Sequence, residues 1–290
     1  VGIVIGHDSG NEVAFNNTVL NNTVIITGSA TTPIGISVGA DSNRIENNTI
    51  KMFSGGTGVA LNLVKYTLVN GNNITISGLA GLNKGISSGG GGGESFNNGS
   101  FNIIWTNGSS ASGIFIGNNG WGVWDNNIIT TTGIASPGVY LTGGSGINIT
   151  NNNITTIGGC DGGFCSGGVE GRSGANTGIN DFIGYNNITT TGVGAYGILF
   201  ISGRARSIAV GNIIKTTAIN DGPGPAHGIY LSADGNLITN NTINVTGVNA
   251  SGIVVRDNNN IIIENNITQA GKHGFFFDPT SFKDNNTIRN

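Results

Sequence analysis

Apolar residues recur along the chain in short alternating runs, and each run follows a glycine. The glycine precedes an apolar residue, a variable residue and, in most units, a second apolar residue. These glycines lie 22 to 33 residues apart, at Gly2, Gly35, Gly58, Gly85, Gly113, Gly138, Gly168, Gly197, Gly228, Gly252 and Gly274. Because alternation with a period of two is typical of a half-buried strand, the pattern predicts a β-strand after each glycine.

A second pattern follows in nearly every unit and places an Asn between two apolar residues, as in Ile45, Asn48 and Ile50. A Thr-rich stretch that ends in Gly comes next, as at positions 130–133. Three short strands per unit cannot bury an apolar face alone, whereas stacked units share one continuous core. The chain is therefore predicted to be all-β, a right-handed parallel β-helix solenoid with three short parallel sheets.

The repeat predicts a single β-helix domain over residues 1–290, with about 10 to 11 coils of 22 to 33 residues. Neither end shows a recognisable capping element. An uncapped solenoid exposes strand edges that another chain or domain can cover. The pattern therefore suits a subunit that stacks head to tail, and it suits equally a fragment of a longer surface protein.

The Asn of the second pattern recurs in the same place in ten coils, whereas the coil that contains Gly99 has no Asn in this column. A buried amide without a partner costs roughly 1–3 kcal/mol, so we expect these side chains to hydrogen-bond from coil to coil as an asparagine ladder. The predicted ladder consists of Asn22, Asn48, Asn72, Asn126, Asn152, Asn186, Asn212, Asn241, Asn265 and Asn286.

Composition narrows the choice of fold and partner. Gly contributes 52 and Asn 44 of the 290 residues, and both disfavour helices and strand interiors, which argues against a helical bundle. The net charge is −3 and only 9% of the residues are charged, so a nucleic-acid partner is not expected. No apolar run is long enough to span a membrane.

Cys160 and Cys165 are the two cysteines of the chain. Their close spacing favours a local disulfide, with free thiols as the alternative. Without a nearby His or further Cys, the pair has poor spacing for zinc.

Through its Gly-Ile-x-Leu and Asn-Asn-x-Ile units, the chain resembles the pectin-lyase-like superfamily over essentially its whole length. This superfamily of right-handed parallel β-helices includes polysaccharide lyases, glycosidases, phage tailspikes and archaeal and bacterial cell-surface proteins. The resemblance implies the fold and leaves the function open, because one fold hosts many activities.

The motifs that the resemblance implies for catalysis are incomplete. Glycosidases of this fold use clustered Asp with a Gly-His-Gly element, but His227 and His273 lack the first of the two glycines and the adjacent acidic pair. We therefore expect no catalytic residue and no enzymatic activity. Asp234, Asp257 and Asp278 each follow their coil's glycine by four to six residues. Asx-turns are the favoured interpretation, and calcium bound between the three is the alternative; no other cofactor is expected.

The variable residue of each glycine pattern should point outward from the first strand. In the second half of the chain this position is mostly apolar, with Glu170 as the exception, and the predicted stripe comprises Phe115, Tyr140, Leu199, Tyr230, Val254 and Phe276. An exposed apolar stripe marks a contact surface. Three interpretations of the stripe stay open: a loop of the same chain covers it, another protein binds to it, or sugar rings stack on it.

Four Asn-x-Thr sequons directly follow a ladder Asn and should point outward, which makes Asn73, Asn153, Asn187 and Asn266 the candidates for covalent glycans. Together these features predict an extracellular structural protein, a subunit of a surface layer or filament that self-associates through its ends and its apolar stripe. The alternative is a carbohydrate-binding or polysaccharide-degrading β-helix, such as an adhesin, tailspike or lyase.

Overall fold

A computed structural model describes residues 1–6, 15–28, 33–78, 82–89, 95–117, 120–160, 165–172, 179–201, 204–217, 226–269, 271–278 and 285–289. These residues form three parallel β-sheets. Consecutive strands of one sheet come from consecutive coils, and neighbouring strands among the described residues run parallel. The expected right-handed parallel β-helix with three sheets is therefore confirmed.

Each sheet contributes one strand to a typical coil. Sheet 1 contains Ile3–Ile5, Ile34–Val38, Thr57–Leu61, Lys84–Ser88, Ser112–Ile116, Val139–Leu141, Val169–Gly171, Tyr196–Ile201, His227–Ser232, Ser251–Val255 and His273–Phe277. Sheet 2 contains Thr18–Leu20, Arg44–Glu46, Leu68–Asn70, Asn98–Ser100, Gly120–Asp125, Ile147–Thr150, Phe182–Gly184, Ile208–Val210, Leu237–Thr239, Ile261–Ile263 and Thr287–Arg289, with Ser95–Phe96 paired beside this path. Sheet 3 contains Thr23–Ile26, Thr49–Met52, Asn73–Ile76, Ile103–Asn107, Ile128–Thr132, Asn153–Ile157, Asn187–Thr191, Ile213–Thr217, Thr242–Thr246 and Asn266–Gln269.

Inward side chains from all three sheets form one apolar core. Equivalent side chains of successive coils stack in register, as shown by Ile188, Ile214 and Ile243 of sheet 3. All three of these side chains are at most 1% exposed. Because each coil is one layer of the core, a coil buries its apolar residues only against the coils above and below it.

The repeated glycine at the start of most sheet 1 strands has no room for a side chain, whereas the space at Gly274 in the last of these strands is open. At Gly138, an added Cβ would lie 2.3 Å from Cγ2 of Ile154 and 2.8 Å from the carbonyl oxygen of Gly168 in the next coil. The repeated glycine is therefore required by the close approach of sheet 1 to sheet 3 and to the next coil.

Ten asparagines form a continuous ladder at the corner between sheets 2 and 3. From the second of them onward, the side-chain oxygen accepts hydrogen bonds from the backbone N–H and the side-chain amide of the Asn in the preceding coil, at 2.9–3.2 Å. The ladder consists of Asn22, Asn48, Asn72, Asn102, Asn127, Asn152, Asn186, Asn212, Asn241 and Asn265.

The predicted ladder differs from this one at two coils of the middle section. Asn127 takes the place expected for Asn126, which is exposed. The predicted position is one residue too early. Val123 and Trp124 are both apolar and fit the sequence pattern equally well, but only Trp124 points into the core. The sequence pattern placed Gly99 in the ladder column of its coil and predicted no ladder Asn there. In the structure Asn102 occupies that column, so the ladder is continuous through this coil.

Asn286 was also placed in the wrong ladder. Its side-chain oxygen accepts from the backbone N–H of Asn260 at 2.8 Å, and Asn260 accepts in the same way from Asn236 at 3.0 Å. These residues precede the sheet 2 strands, so they form a second ladder at the corner between sheets 1 and 2. The two corners carry similar Asn patterns, which is why sequence spacing alone did not separate them.

The residue before each rung of the first ladder turns the chain with a positive φ. In the ten coils this φ lies between 53° and 64°. Asn adopts this left-handed conformation more readily than most residues with a side chain, which explains doublets such as Asn47 and Asn48. The first Asn turns the corner, and the second bonds to the next coil.

Asn127→Ala should destabilise the protein, because it leaves the N–H of Asn102 and the carbonyl of Gly99 without their buried partner. Each such group costs about 1–3 kcal/mol. Asn126→Gly keeps the left-handed corner and should change the free energy of unfolding by less than about 0.5 kcal/mol. Urea unfolding followed by circular dichroism measures both values. Equal effects at the two positions would show that the observed register is wrong.

Candidate functional site

The outer face of sheet 1 brings together side chains from three outward columns, and we call this surface the sheet 1 face. The central column is in register through consecutive coils and consists of Phe115, Tyr140, Glu170, Leu199, Tyr230, Val254 and Phe276. A second column, three residues earlier, includes Lys84, Ser112, Tyr196, His227, Ser251 and His273. A third, two residues after the central one, includes Thr142, Arg172, Arg256 and Asp278.

A cavity of about 430 Å³ opens on this face. Its lining residues are Leu82, Lys84, Ser110, Ala111, Ser112, Phe115, Ala135, Pro137, Tyr140 and Glu170. The rings of Phe115 and Tyr140 lie 5.8 Å apart at an angle of 59°. Apolar walls with a few polar groups are typical of ligand sites.

Glu170 is the carboxylic acid of the cavity lining. Its side chain is 1% exposed and accepts a charge-assisted hydrogen bond from Nε of Arg172. Burial raises the pKa of Glu170 to about 7, and the positive charge of Arg172 only partly opposes this effect. A large fraction of this carboxyl group is therefore protonated at neutral pH, unlike an ordinary Glu.

Lys84 lies at the opposite end of the cavity lining from Glu170, three coils earlier along the solenoid. Its Nζ is 3.6 Å from the centre of the Phe115 ring, which is a cation–π contact. Burial lowers the pKa of Lys84. The cavity therefore combines a cation, two aromatic rings and a proton-carrying carboxyl group.

A buried ion pair lies in the wall of the solenoid next to this site. Arg204 and Asp181 are both fully buried and 2.7 Å apart, and Arg204 also donates to the carbonyl oxygen of Gly143. The absent side chain of Gly171 makes room for Arg204, because an added Cβ would lie 3.1 Å from Arg204 Cγ. This pair holds together the segments that follow the Tyr140 and Glu170 strands.

The sheet 1 face continues beyond Glu170 as an aromatic and cationic cluster. Tyr196, His227 and Tyr230 have ring centres 5.4–5.9 Å apart. Nδ1 of His227 accepts a hydrogen bond from the backbone N–H of Ser251, and burial lowers the pKa of His227 to about 4, so its imidazole is neutral at pH 7. Arg256 donates to the Tyr230 hydroxyl at 2.6 Å and pairs with Asp278 at 2.7 Å.

The predicted apolar stripe is not continuously exposed. Leu199 and Val254 are only 1% and 2% exposed, so these two positions cannot form part of a contact surface. Phe115, Tyr140, Tyr230 and Phe276 stay partly exposed. Glu170 interrupts the stripe. A single acid in an otherwise apolar column was the one feature of the sequence that indicated this site. The sequence did not predict that Glu170 is buried.

The three Asp residues considered for calcium bond to other groups instead. Asp278 pairs with Arg256, and Oδ1 of Asp234 accepts from the backbone N–H of Asn258 at 2.8 Å. The carbonyl of Asp257 accepts from Asn260 and Asn286. Within the described ranges, no group of three or more His, Cys, Asp or Glu residues could hold a metal ion, so the calcium alternative is not supported.

The remaining predicted sites lie outside the sheet 1 face. Asn73, Asn153, Asn187 and Asn266 are exposed and each begins a sheet 3 strand, so they stay candidates for glycosylation. Cys160 and Cys165 form a disulfide. The part of the chain that the structure describes contains no helix that could cross a membrane.

Comparison with known proteins identifies similar structures but no similar sequences. No protein-family model matches the chain, and no curated protein matches it. The enzymatically active domain of tailspike protein 2 from bacteriophage CBA120 matches with a TM-score of 0.56 and 11% identity, over 93% of this chain and 44% of that domain. DFA-IIIase from Arthrobacter chlorophenolicus A6 matches with a TM-score of 0.53 and 11% identity, over 99% of this chain and 68% of that protein.

The chain shares the β-helix fold of these enzymes. At 11% identity the similarity shows the fold alone, and this chain spans less than half the length of the tailspike domain.

Two expectations are corrected by these matches. A non-enzymatic surface-layer or filament subunit was expected, but the matching structures are an enzymatically active tailspike domain and a DFA-IIIase. They agree with the carbohydrate-active alternative. The same matches contradict the expectation of no enzymatic activity, because both similar structures are enzymes built on this fold.

The unusual protonation of Glu170 predicts how stability depends on pH. The folded state holds this proton up to about pH 7, whereas the unfolded state releases it near 4.5. The Glu170 contribution to stability is therefore present below pH 4.5 and is lost as the pH rises through 7. Glu170→Gln removes the titration, so relative to the native protein it should gain on the order of 2–3 kcal/mol between pH 5 and pH 8.

Urea unfolding of both proteins at pH 5 and pH 8 measures this gain. Asp234→Asn serves as the control, because Asp234 is exposed and lies outside the cavity. A constant difference between Glu170→Gln and the native protein across this range would contradict the raised pKa.

Proposed function

We propose that this protein binds a polysaccharide along the sheet 1 face and cleaves a glycosidic bond there, with Glu170 as the proton donor. The observation that carries the proposal is the buried carboxyl group of Glu170 in a cavity that also contains Phe115 and Tyr140. The fold similarity to an enzymatically active tailspike domain and to DFA-IIIase supports it.

Hydrolysis of a glycosidic bond requires a proton on the leaving oxygen, and a water from solvent adds to the anomeric carbon and releases a proton. An ordinary carboxyl group is ionised at neutral pH, whereas a group with a pKa near 7 holds a proton and can still release it. Burial provides this pKa at Glu170. After donation, the positive charge of Arg172 stabilises the carboxylate that forms.

The walls of the cavity suit a sugar ring. Phe115 and Tyr140 offer aromatic faces, on which the apolar faces of sugars stack, and the rings come from consecutive coils. Lys84, Ser112 and the Tyr140 hydroxyl provide hydrogen-bonding groups for sugar hydroxyls. The sheet 1 face continues beyond Glu170 to Tyr196 and Tyr230, so a polymer lying along the solenoid axis would contact several coils.

Paired-carboxylate glycosidases place their carboxyl groups about 5–9.5 Å apart. Among the described lining residues of the cavity, Glu170 is the one carboxylic acid. Its neighbours in the central column are Tyr140 and Leu199. We therefore assign Glu170 only the role of acid and assign no second carboxylate.

The proposed substrate is consistent with a place outside the cell, where polysaccharides are abundant. The disulfide between Cys160 and Cys165 fits an oxidising compartment. We propose an extracellular or surface location on these grounds.

Glu170→Gln should lower the release of reducing ends from the polysaccharide substrate at least 100-fold, because the amide cannot donate the proton. In the native protein, kcat/KM should fall as the pH rises through about 7. Incubation with a panel of acidic and neutral polysaccharides, followed by a reducing-end assay and mass spectrometry of the products, measures both effects.

Asp234→Asn should retain native activity in the same assay. If no member of the panel is cleaved by the native protein, or if Glu170→Gln cleaves it at the native rate, the proposed function is incorrect.

A further inference from the structure

Three aromatic side chains form a line on the outside of the solenoid, away from the sheet 1 face. Tyr66, Phe96 and Trp121 occupy one position in three successive coils, at or near the start of sheet 2, and we call them the aromatic row. The Tyr66 and Phe96 rings are parallel within 6° with centres 5.8 Å apart, and the Phe96 and Trp121 centres are 5.6 Å apart.

The aromatic row does not belong to the apolar core. None of its members is part of the core cluster, Tyr66 is 63% exposed, and Phe96 and Trp121 are half-buried. The neighbouring Trp124, by contrast, is completely buried. Contiguous exposed apolar surface of this kind marks a binding site more often than a structural element.

Other coils place small or polar residues in this column. The equivalent residues are Ser42, Gly146, Asn180, Arg206 and Gly235, all with a positive φ. Tyr66 has a φ of 57° in the same column, which is uncommon for a bulky aromatic residue. The Trp121 ring lies against Gly146 of the next coil, where an added Cβ would be 2.7 Å from the ring. Large rings are thus held at a position that the fold fills elsewhere with small or polar side chains.

The charge around the aromatic row indicates the chemistry of its ligand. The adjacent sheet 2 strands Leu68–Asn70, Asn98–Ser100 and Gly120–Asp125 carry no Lys or Arg. Their outward groups include the amides of Asn70 and Asn98 and the carboxylate of Asp125. Lys65, which precedes Tyr66, balances Asp125, and Arg44 of the preceding coil pairs with Glu46, so the charges near the row cancel. A neutral sugar polymer, whose hydroxyls can bond to amides and carboxylate, therefore suits this surface better than a charged polymer.

We propose that the aromatic row is a second carbohydrate-binding site, for a neutral polysaccharide that lies along the solenoid axis. Coils repeat at about 4.8 Å, which is close to the length of one hexose unit in an extended chain, so successive rings can contact successive sugars. The site is separate from Glu170 and does not depend on the proposed cleavage. It would hold a polymer on the protein without cleaving it.

Native gel electrophoresis in gels that contain hydroxyethyl cellulose, galactomannan, dextran or inulin tests this proposal. The full chain should be retarded by at least one of these neutral polymers. Trp121→Ala should weaken that binding about tenfold. Tyr66→Gly should weaken it as well while leaving the melting temperature equal or higher, because glycine relieves the positive φ.

Two matched variants complete the experiment. Tyr185→Ala removes another exposed aromatic residue with a positive φ, at the corner between sheets 2 and 3, and should leave the retardation unchanged. Tyr140→Ala, which removes an aromatic face from the cavity on the sheet 1 face, should be retarded like the native protein, which separates this site from the proposed active site. The proposal is overturned if none of the four polymers retards the native protein, or if Trp121→Ala binds like the native protein. It is overturned as well if sedimentation shows that the row instead joins two copies of the chain.

Discussion

The requirement that every buried amide at a corner find a partner in the next coil governs this structure. Each inner Asn of the first ladder, such as Asn127, both accepts from the coil before it and donates to the coil after it. The rungs can form only when consecutive coils stand in one register. That register aligns the sheet 1 strands too, so Phe115, Tyr140 and Glu170 become neighbours although 25 and 30 residues separate them along the chain. The site is thus a consequence of the ladder.

Much of the fold was predictable because its physical causes repeat. Glycine recurs where sheet 1 approaches its neighbours, and Asn recurs where a corner needs a bonded amide. The errors occurred where two adjacent residues fit the same pattern. Asn126 and Asn127 both precede an isoleucine at the expected distance, and only the direction of Trp124 decides between them. Asn102 was overlooked because Gly99, which makes room for the Trp124 ring, disturbs the apolar pattern in its coil.

The candidate site was less predictable than the fold, because its properties arise from neighbours in other coils. Sequence patterns showed that Glu170 points outward from its strand, but its raised pKa comes from burial within the assembled solenoid. Leu199 and Val254 share the same outward direction and are buried as well. The aromatic row lies just outside the repeated strand patterns, so periodicity gave no signal for Tyr66, Phe96 and Trp121. The direction of a side chain follows from its place in the alternation along a strand, whereas its burial depends on which residues of other coils pack over it.

The central claim is that a sugar polymer is cleaved beside Glu170 in the cavity on the sheet 1 face. A crystal structure of the Glu170→Gln protein with an oligosaccharide of the cleaved polymer tests it most directly. The account predicts sugar rings against Phe115 and Tyr140, with a glycosidic oxygen within about 3 Å of the side chain at position 170. An oligosaccharide bound elsewhere, with the cavity beside position 170 free of sugar, would contradict it.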